Sequence, residues 1–419
     1  MVDMFKWLII LAIYLPFQLA LNPGAGVDLA SLRVLIPLFF LVWLAQGLLR
    51  KKISLPRNIQ TILILSFLFL NALSILVSRN TDWSIRKLLF LFSLFPVYFV
   101  AGAVINSKEK AEKIIQALID SGMVVALMGI IQFSLQFIIG WEKIYQFWSD
   151  YLVIPFLGRS FGTAVLKNPS WLVNISGQTI LRATAVFPDP HMFSFYLGLL
   201  IPLALGMFLA RKKAWLLAGF ILMLAADILT FSRGGYLGLA AGFIFLIVLF
   251  WKKISKNYKI AVIISASLIF LGVIIPNPVS NRFFSSFNLK EGSNQGRLKM
   301  WKAAETVILD NPLLGVGIGN YPLEVKPSAD YREPIYAHNT YLDIAAESGI
   351  INGAIWIGLL LSTIISFWRR KDMIFSMMAV GLIIFSVHSL VETGIYSPTV
   401  LTLLLILISF SAIKNEKAA

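Results

Sequence analysis

The residues best suited to chemistry lie in a polar interval, about 276–349, which is the longest break in an otherwise apolar chain. Toward its end stands His338, followed directly by Asn339. An imidazole has an ordinary pKa of about 6.5, so it can accept a proton at neutral pH. His338 is therefore the candidate general base, and an ordinary loop or capping histidine is the alternative.

Three arginines could bind an anionic group next to that base. Arg297 lies in the same polar interval, Arg182 ends the preceding long loop, and Arg233 follows an apolar stretch. A guanidinium keeps its charge and can bind phosphate oxygens through two parallel hydrogen bonds. Each arginine taken singly could be a surface or snorkelling residue, but three that converge on a histidine could bind a diphosphate.

Two helices must position these groups. Residues 295–309 place apolar side chains at spacings of three and four, which predicts an amphipathic helix. A second helix should begin at Asn339 or Thr340, because either side chain can cap it. Asn339, Asp343 and Glu347 then line one face of that helix.

A second histidine of interest, His388, lies within an apolar stretch near the C-terminal end. An ionisable side chain inside a membrane segment is a functional candidate by default. Glu392 follows it by one helical turn and is its predicted partner. A purely structural hydrogen bond is the alternative for His388.

The composition indicates a membrane protein. Of 419 residues, 58% are hydrophobic and 14% charged, whereas soluble domains carry about 25% charged residues. The chain has no cysteine, which excludes disulfides and thiolate chemistry, and its three histidines make a histidine-rich metal site improbable. The net charge of +15 fits cytoplasmic loops rich in lysine and arginine better than it fits a nucleic-acid partner.

Apolar stretches predict an all-α polytopic fold, with 1–419 forming a single integral membrane domain. About twelve spans are expected, near 6–21, 29–49, 60–77, 88–105, 116–138, 191–210, 214–231, 235–251, 259–275, 350–368, 373–391 and 398–413. With twelve spans, the basic clusters all fall on one side, which the positive-inside rule assigns to the cytoplasm together with both termini. The long loops 139–190 and 276–349 then lie outside the cytoplasm, and the second carries the site.

At these residues the sequence resembles the superfamily of bacterial O-antigen ligases and O-antigen polymerases. The similarity is carried by Arg182 through His191, Thr230 through Gly235, Gly296 through Gly319, and Ala337 through Gly349. The last two are the more specific, with an Arg-x-x-x-Trp helix, a glycine-rich turn, and then His-Asn-x-Tyr-Leu. The resemblance covers about residues 180–400, and the chain departs from it at His191, where relatives often carry asparagine.

The resemblance implies a glycosyltransferase of the GT-C type in the bacterial inner membrane, with its active site on the periplasmic or extracellular side. It implies an undecaprenyl-diphosphate-linked glycan as donor, and neither a metal nor another cofactor. His338 would deprotonate the acceptor hydroxyl, while Arg182 and Arg297, with Arg233 as a third candidate, would bind the diphosphate. A single displacement would invert the anomeric centre. Supporting residues would be Asn339, Asp343, Glu347, Tyr341, Trp301, Asp189, His191 and His388.

Three functions remain open at this point. A ligase would pass the glycan to lipid A–core oligosaccharide, and the His-Asn-x-Tyr element and the moderate loop length favour it. A polymerase would use the same donor but extend another lipid-linked glycan. A flippase or transporter of lipid-linked oligosaccharides would also have about twelve spans, but its polar site should lie near the membrane midplane.

Overall fold

The computed structural model describes residues 3–24, 27–167, 170–175, 177–250, 278–285, 292–331, 333 and 335–414. Helices make up most of these residues. The first half contains α1 (Met4–Tyr14), α2 (Leu32–Leu49), α3 (Ile59–Leu73), α4 (Thr81–Leu94), α5 (Pro96–Val104), α6 (Lys108–Ile139), α7 (Trp141–Phe147), α8 (Val153–Leu157) and α9 (Arg159–Lys167).

The second half continues the helical pattern. It contains α10 (Pro190–Arg211), α11 (Ala214–Ile228), α12 (Arg233–Phe250), α13 (Pro278–Ser285), α14 (Gly292–Asp310), α15 (Tyr321–Val325), α16 (Thr340–Ser348), α17 (Ile350–Arg369), α18 (Met373–His388) and α19 (Pro398–Ser409).

Two short antiparallel hairpins depart from the all-α prediction. Strand β1 (Ala20–Gly24) pairs with β2 (Val27–Ala30), and β3 (Leu172–Ile175) pairs with β4 (Gln178–Leu181). Four or five residues of alternating pattern at the edge of a long apolar helix give little sequence signal for a strand. The fold is therefore nearly, rather than entirely, helical.

Six helical segments within the described residues are long and apolar enough to cross a membrane: Leu32–Leu49, Ile59–Val77, Thr81–Val104, Lys108–Ile139, Pro190–Arg211 and Ile350–Arg369. Five shorter apolar segments accompany them: Met4–Phe17, Ala214–Ile228, Arg233–Val248, Met373–His388 and Pro398–Ala412. Together they coincide with eleven of the predicted spans, while the ninth, 259–275, lies outside the described residues. A polytopic membrane protein is thus confirmed, whereas the count of twelve and the sidedness stay predictions.

The centre of the bundle is formed by α10, which packs against α11 and α18. Asp189 caps α10 by accepting hydrogen bonds from the backbone N–H groups of His191 and Met192, and Pro190 follows at the first helical position. Proline is favoured there because its missing N–H would have no partner within the helix anyway. This start fixes His191 on the first turn of the most buried of the six long apolar segments.

Both long loops predicted from the sequence contain folded elements. The segment 139–190 holds α7, α8, α9 and the β3–β4 hairpin, and 276–349 holds α13 to α16. Helix α14 includes the predicted 295–309, and it packs through Ala304 and Ile308 onto Ala345 and Ala346 of α16. The predicted pair of site-bearing helices is therefore present and in contact.

Candidate active site

His338 lies in the loop just before α16, with a backbone φ of +50°. Residues other than glycine seldom adopt this left-handed conformation, which costs on the order of 1–3 kcal/mol and is concentrated at functional sites. The side chain is 32% exposed, and its Nδ1 lies 2.7 Å from Oε1 of Glu392. A carboxylate at Nδ1 leaves Nε2 as the ring nitrogen that can accept a proton.

Glu392 lies in the turn after α18 and is buried. Its second oxygen, Oε2, faces Nη2 of Arg297 at 3.6 Å and Nε2 of His191 at 3.9 Å. The carboxylate therefore lies between the histidine and the arginine that sequence reasoning singled out. We call His338, Glu392 and Arg297 the reaction corner.

Each charged group in the pair of Glu392 and His338 stabilises the charged form of the other. Burial alone would raise the pKa of Glu392, but the neighbouring cations, His338 above all, hold that pKa well below its ordinary value. In return, the negative charge of Glu392 outweighs burial and raises the pKa of His338. An ionised carboxylate at this position stabilises the imidazolium that forms when His338 accepts a proton.

Helix α16 begins where the sequence predicted, with Asn339 rather than Thr340 as its cap. The Asn339 side chain accepts hydrogen bonds from the N–H groups of Tyr341 and Leu342, at 3.0 and 3.2 Å. Thr340 bonds across to the segment of Glu392 instead, donating from Oγ1 to the Glu392 carbonyl at 3.1 Å. The cap and this cross-bond together set the position of His338 relative to Glu392.

Asp343 and Glu347 of α16 are both buried, and we call them the brace. Asp343 is buried and accepts hydrogen bonds from the N–H of Ala337, at 2.7 Å, and from the hydroxyl of Thr393. One carboxylate thereby joins the residue before His338 to the residue after Glu392. Burial raises the pKa of Asp343 to about 6.

Glu347 joins α16 to the first half of the chain. It accepts a 2.7 Å hydrogen bond from Nζ of Lys87 on α4 and a 3.3 Å bond from the hydroxyl of Tyr396. The same ammonium lies 3.6 Å from the centre of the Tyr396 ring. Tyr341 adds a further tie, because its hydroxyl donates to the carbonyl of Ser386 at 2.8 Å.

The reaction corner borders a cavity of about 570 Å³. Of the predicted site residues, His338, Arg297, His191 and Asp189 line it. Its apolar wall comes largely from the first long loop and includes Phe156, Phe161, Ala164, Val165, Phe187 and Met192. Aromatic and cationic side chains form another part of the wall, namely Trp83, Lys87, Arg33, Tyr331, Tyr336 and Tyr396.

Arg182 and Arg233 are buried beside the cavity without lining it. Arg182 donates from Nε to the carbonyl of Thr230 at 2.6 Å and from Nη1 to that of Ser170 at 2.8 Å. Within the described part of the chain, Nη2 of Arg182 is buried without a hydrogen-bond partner. Arg233 donates from Nη1 to the carbonyl of Ser285 at 3.3 Å.

The remaining predicted residues lie behind the cavity wall. Trp301 is on α14, and His388 ends α18 with its Nε2 3.2 Å from Oγ of Ser232. The expected pairing of His388 with Glu392 is wrong, since the carboxylate bonds to His338 instead. Helix α18 ends at His388, so the one-turn spacing that suggested the pair does not continue to Glu392.

Sequence reasoning missed the contribution of α2 and α4 to the cavity. Arg33 lies in the apolar segment Leu32–Leu49 and Lys87 in Thr81–Val104, and both line the cavity. A charge inside an apolar span is a functional candidate by default. That signal was visible in the sequence for Arg33, which lies within the predicted span 29–49, but not for Lys87, which precedes the predicted span 88–105.

The bundle and its buried charged residues define a polytopic membrane protein with a polar site at the border of a large cavity. Residues 218–357 match the O-antigen ligase family. This confirms the predicted relationship to the O-antigen ligase and polymerase superfamily, over about a third of the chain. The matched region includes Arg233, Arg297 and His338 but neither Arg182 nor Glu392. None of the curated proteins matches the chain.

Proposed function

We propose that this protein transfers a glycan from undecaprenyl diphosphate to a hydroxyl of an acceptor glycan, as an O-antigen ligase acting on lipid A–core oligosaccharide. The observation that carries the proposal is the 2.7 Å contact between His338 and Glu392, with Arg297 at 3.6 Å from the same carboxylate on the cavity wall. A base with its own counter-charge beside a cation suits attack by a hydroxyl on a carbon that carries an anionic leaving group.

In the proposed step, Nε2 of His338 takes the proton of the acceptor hydroxyl. The acceptor oxygen forms a bond to the anomeric carbon as the bond from that carbon to the diphosphate oxygen breaks. The electron pair leaves with undecaprenyl diphosphate, and Glu392 stabilises the new imidazolium through Nδ1–H. A single displacement of this kind inverts the configuration at the anomeric carbon.

Arg297 is proposed to bind the departing diphosphate. It lines the cavity, its side chain is 17% exposed, and it lies on a helix held firmly against α16. Donors that are already oriented toward developing charge contribute strongly to catalysis. Arg182, with a buried Nη2 that has no partner in the described chain, and Arg233 are proposed to add positive potential from behind the wall.

The apolar wall suits a donor that carries a polyprenyl chain. Phe156, Phe161 and Val165 present apolar side chains to the same cavity that contains the reaction corner. A lipid-linked substrate has to place its chain against such a surface while its diphosphate meets cations and water. We place this site on the periplasmic or extracellular side, on the basis of the positive-inside distribution of charge.

The test is a gel of envelope glycans from a deletion strain that is complemented with wild type, His338→Ala or Arg297→Ala. Full-length polymer left on undecaprenyl diphosphate, with bare core beside it, supports ligase. Core capped by a single repeat unit supports polymerase. Repeat units that accumulate on the cytoplasmic leaflet, or full complementation by both variants, would overturn the transferase and favour a transporter.

A matched control for Arg297→Ala is Arg211→Ala. Arg211 ends α10 and pairs with Glu112 at 2.8 Å, away from the residues that line the cavity. The substitution removes the same charge and the same side-chain length. We expect this variant to restore the wild-type glycan pattern.

A further inference from the structure

All three histidines of the chain meet in one cluster, of which His338 and His191 line the cavity and His388 does not. His338 contacts one oxygen of Glu392, and Nε2 of His191 faces the other at 3.9 Å. Nδ1 of His191 lies 3.0 Å from Oγ of Ser232, which in turn lies 3.2 Å from Nε2 of His388. A line of polar contacts therefore runs from the buried end of α18 to the reaction corner.

This line is built into closely packed helices. His388 and Ser232 are buried, and the His388 ring stacks on Phe195 with 3.7 Å between ring centres. Gly234 lies against the His388 ring so closely that a Cβ atom there would overlap it. The packing leaves the ring of His388 no room to turn away from Ser232.

Hydrogen-bonding rules decide which way the protons point along the line. Ser232 has one O–H to donate and two lone pairs, and one lone pair accepts the N–H of Gly235 at 3.2 Å. Its hydroxyl must therefore donate to one histidine and accept from the other. Two orientations satisfy Ser232, and they place the protons of His191 and His388 on opposite nitrogens.

In the first orientation, His388 donates from Nε2 to Ser232, and Ser232 donates to Nδ1 of His191. His191 then carries its proton on Nε2, where it points at the carboxylate of Glu392. Nδ1 of His388 is then bare and is buried without a partner among the described residues. Every N–H and O–H along the line meets an acceptor or the negative charge.

The reverse orientation is disfavoured at His191. There a bare Nε2 lone pair would face the negative carboxylate of Glu392 at 3.9 Å, in place of an N–H that points at it. Nδ1 of His388 is buried without a partner among the described residues in both orientations, so it does not distinguish them. A lone pair turned toward a buried negative charge raises the free energy of the reverse orientation, so the first orientation is favoured.

We propose that Ser232 and His388 are positioning residues, which fix the proton of His191 on Nε2 and thereby hold Glu392 for its contact with His338. The contribution of Ser232 and His388 to catalysis depends on the glycosyl transfer proposed above. Oε2 is stabilised by His191 and Arg297, so Oε1 stays directed at Nδ1 of His338. The base is thus oriented through a line of residues that do not touch the substrate.

The proposed line of contacts requires a particular tautomer of each histidine. His191 and His388 carry their single proton on Nε2, and His338 carries a proton on Nδ1. Since the sequence contains three histidines and all belong to the cluster, uniform isotope labelling of histidine gives no background. Solid-state nitrogen NMR of the whole protein in lipid nanodiscs at neutral pH can then distinguish the protonated nitrogen of each ring.

Two variants of His388 form a matched pair. His388→Gln keeps an amide N–H that can donate to Ser232 in place of the imidazole Nε2–H, whereas His388→Leu keeps volume and removes the donor. We expect the glutamine variant to leave the His191 tautomer unchanged. The leucine variant and Ser232→Ala should let His191 populate both tautomers, which would be visible as a second set of its nitrogen signals.

The kinetic counterpart uses the same variants. Loss of a residue that orients a functional group typically lowers activity by about 10–100-fold. We expect kcat to fall by about tenfold in His388→Leu and Ser232→Ala, with little change in KM, and to stay within about twofold of wild type in His388→Gln.

The outcomes separate this inference from the proposed function. A proton on Nδ1 of His191 in the wild type, or an unchanged His191 tautomer in both Ser232→Ala and His388→Leu, would overturn it. Equal loss of kcat in His388→Gln and His388→Leu would reduce His388 to a packing role and also overturn it. The expected tautomers in a protein that shows no transfer would instead uphold the line and reject the proposed function.

Discussion

Two buried carboxylates have pKa values that are shifted in opposite directions, although Asp343 accepts a hydrogen bond from Thr393, the residue that follows Glu392. Glu392 in the reaction corner faces His338 and Arg297, and these cations hold its pKa well below the ordinary value. Asp343 in the brace faces a backbone N–H and a hydroxyl, and burial raises its pKa to about 6. Two buried acids thus have pKa values on opposite sides of the ordinary value, because only Glu392 has cations as its neighbours.

The difference teaches that burial of an acid does not by itself mark a catalytic group. What distinguishes Glu392 is that its partners are cations and that it lines the cavity together with them, whereas Asp343 does not line it. The partners of Asp343 are parts of the two segments that carry His338 and Glu392. Substitutions in the reaction corner should therefore lower activity most, whereas substitutions in the brace should mainly lower stability.

The largest effect on activity is expected at His338. His338→Asn removes the base but suits the left-handed backbone at this position, because asparagine tolerates a positive φ better than most residues. We expect transfer per folded molecule to fall by about 10²–10⁴-fold. Transfer rate and thermal unfolding in nanodiscs are the measurements, and a variant with near wild-type transfer would remove His338 from the reaction corner.

Arg297 should rank next. Arg297→Ala is expected to lower kcat by about 10²–10³-fold, since a donor directed at the leaving group is lost. Arg297→Lys keeps the charge but not the planar pair of donors, so it should recover only part of that loss. An equal loss in the alanine and lysine variants would mean that charge alone does not suffice without the guanidinium geometry, whereas wild-type activity in both would exclude a role for Arg297.

Glu392→Gln should change the dependence on pH as well as the rate. The charge of Glu392 raises the pKa of His338, and only neutral His338 can act as a base, so activity rises as pH increases through that raised pKa. Without the charge the pKa of His338 falls, and the acidic limb of kcat/KM moves to lower pH. The plateau should also fall by about tenfold, because the imidazolium loses its partner.

A shift of that limb to higher pH, or none at all, would contradict the assigned pairing of Glu392 with His338. Asp343→Asn is the comparison variant, since it changes the brace and leaves the direct carboxylate partner of His338 in place. We expect a much smaller displacement of the acidic limb in this variant.

The smallest effect on transfer per folded molecule is expected in the brace. Asp343→Ala leaves the N–H of Ala337 and the hydroxyl of Thr393 without their acceptor, which costs about 1–3 kcal/mol. Thermal unfolding should therefore occur at a clearly lower temperature. Activity measured well below that temperature should fall less than in His338→Asn. The reverse order would mean that Asp343 contributes to transfer itself and not only to stability.

The local signals in the sequence were sufficient for the helices that carry the site. Apolar spacing predicted 295–309 within α14 (Gly292–Asp310), and a capping asparagine predicted the start of α16. Both depend on residues within a few positions of each other. Such short-range interactions are what a single sequence records most clearly.

The partner of Glu392 could not be predicted in the same way. Its contact with His338 spans 54 positions in the chain and depends on how α16 and the turn after α18 dock. Lys87 is still farther from its partner Glu347. Such pairs are set by tertiary packing, so composition and periodicity contain no direct sign of them.

The degree to which each helix is buried could not be predicted from the sequence either. Helices α2 and α10 are similarly apolar, yet 11% of the first segment is buried against 83% of the second. Apolar side chains suit both lipid and the interior of a bundle, so hydropathy does not distinguish an outer helix from a central one. The polar start of α10 at Asp189 and His191, which lines the cavity, is the feature that marks it as central.

The first hairpin and α9 meet at the rim of the cavity through two short side chains. Asn22 accepts the N–H of Arg159 at 3.1 Å, and Asp28 accepts the N–H of Phe161, so a distant segment caps α9. Separation of the hairpin from α9 would release these two amides. If a bulky substrate chain enters the cavity between these two elements, the first turn of α9 should show faster hydrogen exchange during turnover.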